Sequence, residues 1–154
     1  TPQVLYEKVR IDELYFLATG GGITFGGGEP LLYSDFLQEF RKLCGPDWHL
    51  CAETSLNVSW ENVATAADCI DYFYIDCKDT DPDIYHRYTS QDNARMLSNL
   101  RRLLEIAGPE RITVRIPLIP EFNTKEDQIR SQKLLQSMGV VNFDLFTYKT
   151  DILR

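Results

Sequence analysis

Gly20-Gly21-Gly22-Ile23-Thr24-Phe25-Gly26-Gly27-Gly28-Glu29-Pro30-Leu31-Leu32 is the stretch on which the fold turns. It carries six of the chain's nine glycines. The β-favouring triplet Ile23-Thr24-Phe25 divides them into two groups, and an acidic residue and a proline close the run. Glycine is used where the backbone must take positive φ or approach a ligand closely. A strand ending in Gly-Gly-Gly-Glu-Pro therefore offers bare amides and carbonyls around one carboxylate, which suits a small polar ligand with a cationic group. A triphosphate does not fit, because no Gly-Lys-Ser/Thr follows. Nor does a dinucleotide, because the G-x-G-x-x-G spacing fails at Phe25 and again at Leu31.

The chain has 154 residues, enough for one domain, 1–154, with a sizeable core. With 44% hydrophobic and 25% charged residues it reads as an ordinary globular protein. Its 16 basic and 23 acidic residues leave a formal charge of -7, which argues against a nucleic-acid partner. No apolar run approaches the roughly 20 residues that cross a bilayer, so no membrane role is expected. Thr1-Pro2-Gln3 has no signal-peptide character, and a cytoplasmic setting is the expectation. That start and the ending Ile152-Leu153-Arg154 read as those of a piece of a longer protein.

Cys44, Cys51, Cys69 and Cys77 contain no C-x-x-C pair, and each lies in or beside an apolar segment. They read as free, buried thiols rather than metal ligands.

Around the glycine run the periodicity alternates. A helix is expected over Thr1 to Leu14, capped by Thr1, with Pro2 in its first turn and Val4, Leu5, Val9 and Ile11 as its apolar stripe. Strands are expected at Ile23–Phe25, Trp48–Ala52, Tyr72–Ile75, Ile112–Pro117 and Val141–Phe146. Helices are expected from a Ser34 cap to Leu43, from a Ser59 cap over Glu61–Ala67, in a turn from Asp81-Pro82 to Arg87, over Asn93–Ala107, and from Thr124 to Met138. The third strand is apolar throughout Tyr72-Phe73-Tyr74-Ile75, as when both faces are covered. The order α, (βα)×4, β predicts an α/β fold of parallel strands, either an open doubly wound sheet or part of a (β/α) barrel.

In such folds ligands sit at the carboxyl ends of strands. Those ends supply Gly27-Gly28-Glu29, Glu53-Thr54, Asp76 with Lys78, Arg115, and finally Thr147, Tyr148 and Lys149. Carboxylates, cations and a glycine cradle together suit a zwitterion, with Lys78 or Arg115 toward a carboxylate. A cation within an apolar strand, as at Arg115, must be paired or face a cavity. His49 and His86 do not form a pair. No G-x-S-x-G or H-E-x-x-H is present, so hydrolase chemistry has little support.

The stretch Gly22 to Leu32 resembles the glycine-glycine-glutamate motif of radical S-adenosylmethionine enzymes. Together with Glu53-Thr54, Tyr74 to Pro82, Asn99 to Leu103 and Val114 to Pro120, the chain is similar to activating enzymes of glycyl radical enzymes, the pyruvate formate-lyase activating enzyme type. The resemblance implies a partial (β/α) barrel of parallel strands with outer helices, its first βα unit missing. It implies S-adenosylmethionine and a [4Fe-4S] cluster that cleaves it reductively to methionine and a 5′-deoxyadenosyl radical. A glycyl radical enzyme would be the partner that loses a glycine hydrogen, and flavodoxin a type of electron donor. Carried over, Gly27, Gly28 and Glu29 would hold the methionyl amino group and Lys78 its carboxylate. Glu53, Thr54 and Asp76 would line the ribose or a nearby cation site, with Arg115 supporting them.

The sequence departs from the pattern in several places. The three-cysteine cluster motif C-x-x-x-C-x-x-C is absent, so no metal ligand and no complete catalytic set is expected in this chain, and by itself it is expected to be inactive. A histidine expected near Lys149 is missing. Tyr85 stands where a histidine is usual, and Ser90 where Thr89 would be followed by glycine. Two alternatives stay open: a radical S-adenosylmethionine enzyme acting on a small molecule or RNA, and a non-catalytic binding module.

Overall fold

Five strands, β1 (Gly22–Phe25), β2 (His49–Thr54), β3 (Tyr72–Asp76), β4 (Ile112–Leu118) and β5 (Asn142–Thr147), form one open sheet in sequential order. β1 runs parallel to β2 and β4 to β5, in the registers Gly22 with His49 and Arg115 with Asp144. The computed structural model describes residues 1–148. Seven helices accompany the strands among these residues: α1 (Pro2–Val9), α2 (Glu13–Thr19), α3 (Ser34–Cys44), α4 (Trp60–Ala67), α5 (Pro82–Thr89), α6 (Ala94–Ala107) and α7 (Lys125–Ser137). This is the expected α/β arrangement of parallel strands with outer helices.

The chain divides into two compact units, Thr1–Thr54 with Val58–Tyr74, and Ser55–Asn57 with the residues from Ile75 onward. In the first, the core gathers around Phe40, Trp48, Leu37, Leu50 and Phe73, all essentially buried. Tyr6, Phe16 and Phe40 each pack a ring against Trp48, with centroids 5.6, 4.9 and 6.3 Å away. Arg41 closes the lower end of this core. Its guanidinium donates to the carbonyls of Cys69, Gly45 and Trp48 at 2.8–2.9 Å and pairs with Asp71. Gly22 is required by close approach: a Cβ there would lie 2.0 Å from the His49 carbonyl oxygen.

In the second unit α6 buries Met96, Leu100, Leu103 and Leu104, while Leu97 is half-buried. β4 buries Ile112, Val114 and Ile116. α7 opens with a capping box in which the Thr124 hydroxyl accepts from Asp127 N while the Asp127 carboxylate accepts from Thr124 N.

Several local expectations are corrected. The N-terminal helix starts as expected, with Thr1 accepting from Val4 N and Pro2 in the first turn. It breaks into a 3₁₀ turn at Arg10–Asp12 and resumes to Thr19, and Val4 and Ile11 are exposed. The resulting phase shift takes Ile11 off the stripe. Ser34 does not cap α3. Tyr33 holds the cap position, and the buried Ser34 hydroxyl donates to Asn62 Oδ1. The helix expected from Asn93 starts at Ala94, and the Asn93 amide donates to the Thr80 carbonyl. In β3, Phe73 and Ile75 are buried but Tyr72, Tyr74 and Asp76 are half-buried, so only one face is fully covered.

Candidate functional site

The glycine loop belongs to the first unit. Gly27 and Gly28 have φ of +77° and +59°, and a Cβ at either would meet no atom within 4 Å. These glycines are therefore needed for backbone conformation, and the space a side chain would fill beside them is open. Glu29 follows in extended conformation and caps the 3₁₀ turn Pro30–Tyr33, its Oε1 accepting from Leu31 N at 3.2 Å. The same oxygen accepts the Thr54 hydroxyl at 2.6 Å. Thr54 is buried, so the end of β2 fixes the carboxylate that the glycine run delivers. Glu53, on the opposite face of β2, reaches toward Gly26: a Cβ on that glycine would lie 3.6 Å from Glu53 Oε2. Of the candidates in this unit, the structure brings Glu29 together with Thr54, and Gly26 with Glu53.

The second unit gathers Asp76, Lys78 and Arg115. Arg115 Nε donates to Asp76 Oδ1 at 2.7 Å, and Lys78 Nζ reaches Asp76 Oδ2 at 3.5 Å. The expected requirement that Arg115 be paired is met by this carboxylate. Lys78 makes its short bond elsewhere, donating to the Tyr148 hydroxyl at 2.7 Å. Burial acts most strongly on the Lys78 ammonium and pulls its pKa down. The Tyr148 hydrogen bond and the Asp76 charge together more than offset that, leaving the pKa above the ordinary lysine value. The side chains of Lys78, Asp76 and Arg115 keep 19–28% of their surface exposed, so all three stay within reach of a ligand. Lys149 lies outside the described residues. His86 is exposed on α5 and Tyr85 is buried.

Beneath this cluster lies a buried network that sequence reading missed. Asp79 is fully buried. It accepts from Asp81 N at 2.9 Å, Ser131 Oγ at 3.1 Å and Asn123 Nδ2 at 3.2 Å. Asn123 also donates to the Pro117 carbonyl at 3.1 Å and accepts from Ile119 N at 2.6 Å. The loop that carries Lys78 is thereby fastened to the loop after Arg115. The one sequence signal was an asparagine placed directly before the Thr124 cap, a position that favours local side-chain-to-backbone bonds.

Residues 1–131 match the Radical SAM superfamily model. The chain belongs to the Radical SAM superfamily. The chain is 37% identical over 126 residues to the (2S)-3-sulfopropanediol dehydratase activating enzyme of Klebsiella oxytoca, covering 81% of this chain and 39% of that protein. It is 39% identical over 110 residues to the indoleacetate decarboxylase activating enzyme of Tractidigestivibacter scatoligenes, covering 71% and 35%. The chain thus spans less than half the length of these relatives. A solved domain of pyruvate-formate lyase-activating enzyme from Bacteroides vulgatus ATCC 8482 shares the fold, with a TM-score of 0.57 and 23% identity over 81% of this chain and 98% of that one.

Radical SAM chemistry generally joins S-adenosylmethionine to an iron–sulfur cluster, and the residues of this chain fit the two differently. In the first unit, glycine backbone at positive φ beside a fixed carboxylate is chemistry that suits an ammonium group; in the second, a lysine beside a hydroxyl is chemistry that suits a carboxylate. The described residues do not fit a cluster. No group of three His, Cys, Asp or Glu among them could hold a metal ion. Burial raises all four thiol pKa values, Cys69 to about 11 and Cys77 to about 12. Among the described residues no helix is long and apolar enough to cross a membrane.

Proposed function

We propose that this chain is the S-adenosylmethionine-binding portion of an activating enzyme that installs a glycyl radical on a partner enzyme. The observation that carries the reading is the joint likeness to two activating enzymes at 37% and 39% identity. Radical SAM membership supports the reaction type, an oxidoreductive cleavage. The described residues do not hold a [4Fe-4S] cluster; where one is bound in the intact enzyme, it would supply the electron, from a donor such as flavodoxin, for reductive cleavage of S-adenosylmethionine, and a backbone glycine of the partner would give up a hydrogen atom.

The tasks of this chain's own residues in that reading are binding and orientation. Gly27 and Gly28 offer carbonyls, and Glu29 a carboxylate, to the methionyl ammonium. Thr54 keeps Glu29 from rotating away. Lys78 meets the methionyl carboxylate, and Asp76, held by Arg115, fixes where Lys78 can stand. Glu53 and Thr54 in the first unit, and Asp76 in the second, are each the kind of acceptor that a ribose hydroxyl or a cation would take. The half-buried setting of the charged groups limits screening by water, so each fixed charge orients the zwitterion more firmly than it would on an open surface. The reading also places the protein in the cytoplasm, where a reducing pool keeps its thiols unpaired, as all four are here.

The test is anaerobic incubation of the reduced, intact protein with S-adenosylmethionine and the glycyl radical enzyme encoded nearest to it. A protein radical doublet in electron paramagnetic resonance, with one 5′-deoxyadenosine formed per radical, is expected. Formation of 5′-deoxyadenosine only with a small molecule or RNA, and no protein radical, would overturn the reading.

A further inference from the structure

Lys78 is not alone at its carboxylate-binding position. Its short bond, 2.7 Å from Nζ, is to the hydroxyl of Tyr148, a neutral acceptor. Its contact to Asp76 is 3.5 Å, because that carboxylate gives its 2.7 Å bond to Arg115. The ammonium has three hydrogens. One is committed to Tyr148 and one points at a distant carboxylate oxygen, so the charge is only partly answered.

Tyr148 is itself held on several sides. Its ring packs edge-on against Phe146 at 5.4 Å between centroids and stacks with Tyr88 at 6.5 Å and 25°. Tyr88 packs in turn on Phe122 at 4.9 Å, and Lys78 Nζ lies 5.4 Å from the Tyr148 centroid. Tyr148 accepts the Lys78 bond through a lone pair, so its own O–H hydrogen is not used in that contact. That O–H is left to donate, just past the end of β5 beside a partly compensated cation.

We propose that Tyr148 is a specificity-determining residue that completes a two-donor clamp with Lys78, its hydroxyl donating to the methionyl carboxylate of S-adenosylmethionine while its oxygen orients the Lys78 ammonium. Two donors on adjacent atoms match the two oxygens of a carboxylate, and a charge-assisted bond from each outweighs a single contact to a mobile lysine. The aromatic packing spares the clamp the rotamer entropy that a lone lysine loses on binding. This inference rests on the reading that Lys78 meets that carboxylate.

The experiment compares binding of S-adenosylmethionine with that of its decarboxylated analogue by titration calorimetry, on the intact protein and on its Tyr148→Phe and Lys78→Met variants. Tyr148→Phe keeps the ring and its packing. The intact protein is expected to prefer S-adenosylmethionine, and Tyr148→Phe to reduce that preference about five- to tenfold while leaving affinity for the analogue unchanged. If Lys78→Met removes the preference but Tyr148→Phe retains all of it, or if Tyr148→Phe weakens both ligands equally, the clamp is overturned and the Lys78 reading stands. If the intact protein shows no preference, or Lys78→Met leaves it intact, the Lys78 reading falls and the clamp with it. A merely structural role for Tyr148 would shift both affinities together and leave their ratio alone.

Discussion

Thr54 holds Glu29: its buried hydroxyl donates at 2.6 Å to the same Oε1 that accepts from Leu31 N. Two donors converge on one oxygen, so the orientation of the carboxylate is set before any ligand arrives. Thr54→Val conserves shape and removes the donor. We expect it to cost about 1–2 kcal/mol of stability and to weaken S-adenosylmethionine binding several-fold, whereas Thr54→Ser retains both. Denaturant melts and calorimetry check this. Wild-type binding by Thr54→Val would mean that Glu29 needs no such support.

Asp76 serves two cations, and the shorter bond goes to Arg115. Removing Arg115 leaves the carboxylate to Lys78 alone. Arg115→Met is expected to destabilise by about 1–3 kcal/mol, between the values for exposed and buried pairs, since both side chains remain 21–28% exposed. It should also draw Lys78 toward Asp76 and weaken binding of S-adenosylmethionine. An Arg115→Met variant as stable as the parent would show the pair to be energetically idle.

The Asp79 network is the most costly place in the second unit to disturb. Asn123→Ala removes a donor from a fully buried carboxylate and leaves Ile119 N without its acceptor. We expect a loss of about 3 kcal/mol, read as a lowered denaturation midpoint. Because Asn123 also spans the loops following β3 and β4, hydrogen exchange at the amides of residues 78–80 should accelerate.

Thiol reactivity should follow burial. At pH 8 a maleimide is expected to modify the half-buried Cys44 and Cys51 slowly and to spare Cys69 and Cys77, whose pKa values are pushed by burial to about 11 and about 12. All four should label once the protein is unfolded. Peptide mass mapping distinguishes the sites, and rapid labelling of Cys77 in the native protein would contradict its burial.

The α7 capping box sets a pH dependence. The Thr124 backbone, followed by its hydroxyl and Arg130, holds the Asp127 carboxyl below its ordinary pKa. A depressed carboxylate contributes stability above the unfolded-state pKa, and that contribution is lost as pH falls through the folded value. The loss should therefore appear below about pH 4. Thr124→Ala should lower stability at pH 7 by about 1 kcal/mol and flatten that acid limb. An unchanged acid limb in urea melts would argue against the box as its source.

Most elements were legible because they rest on local chemistry. Thr1, Ser59 and Thr124 cap helices where their spacing to apolar residues placed them. Gly45 and Gly108 end α3 and α6, and the β-branched and aromatic runs became strands. Errors arose where a side chain had a better distant partner. Ser34 read as a cap, but Asn62 claimed its hydroxyl. The helix break at Arg10 carried no glycine or proline to announce it.

The sequence by itself determined the α/β order, the bare glycine loop with its carboxylate, and the charged residues at the strand ends. Each of these follows from backbone preference or from the period of apolar residues, which act over a few positions. Tertiary structure alone decided that Thr54 locks Glu29, that Arg115 takes the short bond to Asp76, that Tyr148 receives Lys78 from 70 positions away, and that Asp79 lies buried on neutral donors. Those pairings depend on which strand ends the fold makes neighbours and on which donor comes nearest an acceptor, and no periodicity along the chain encodes a distance between side chains.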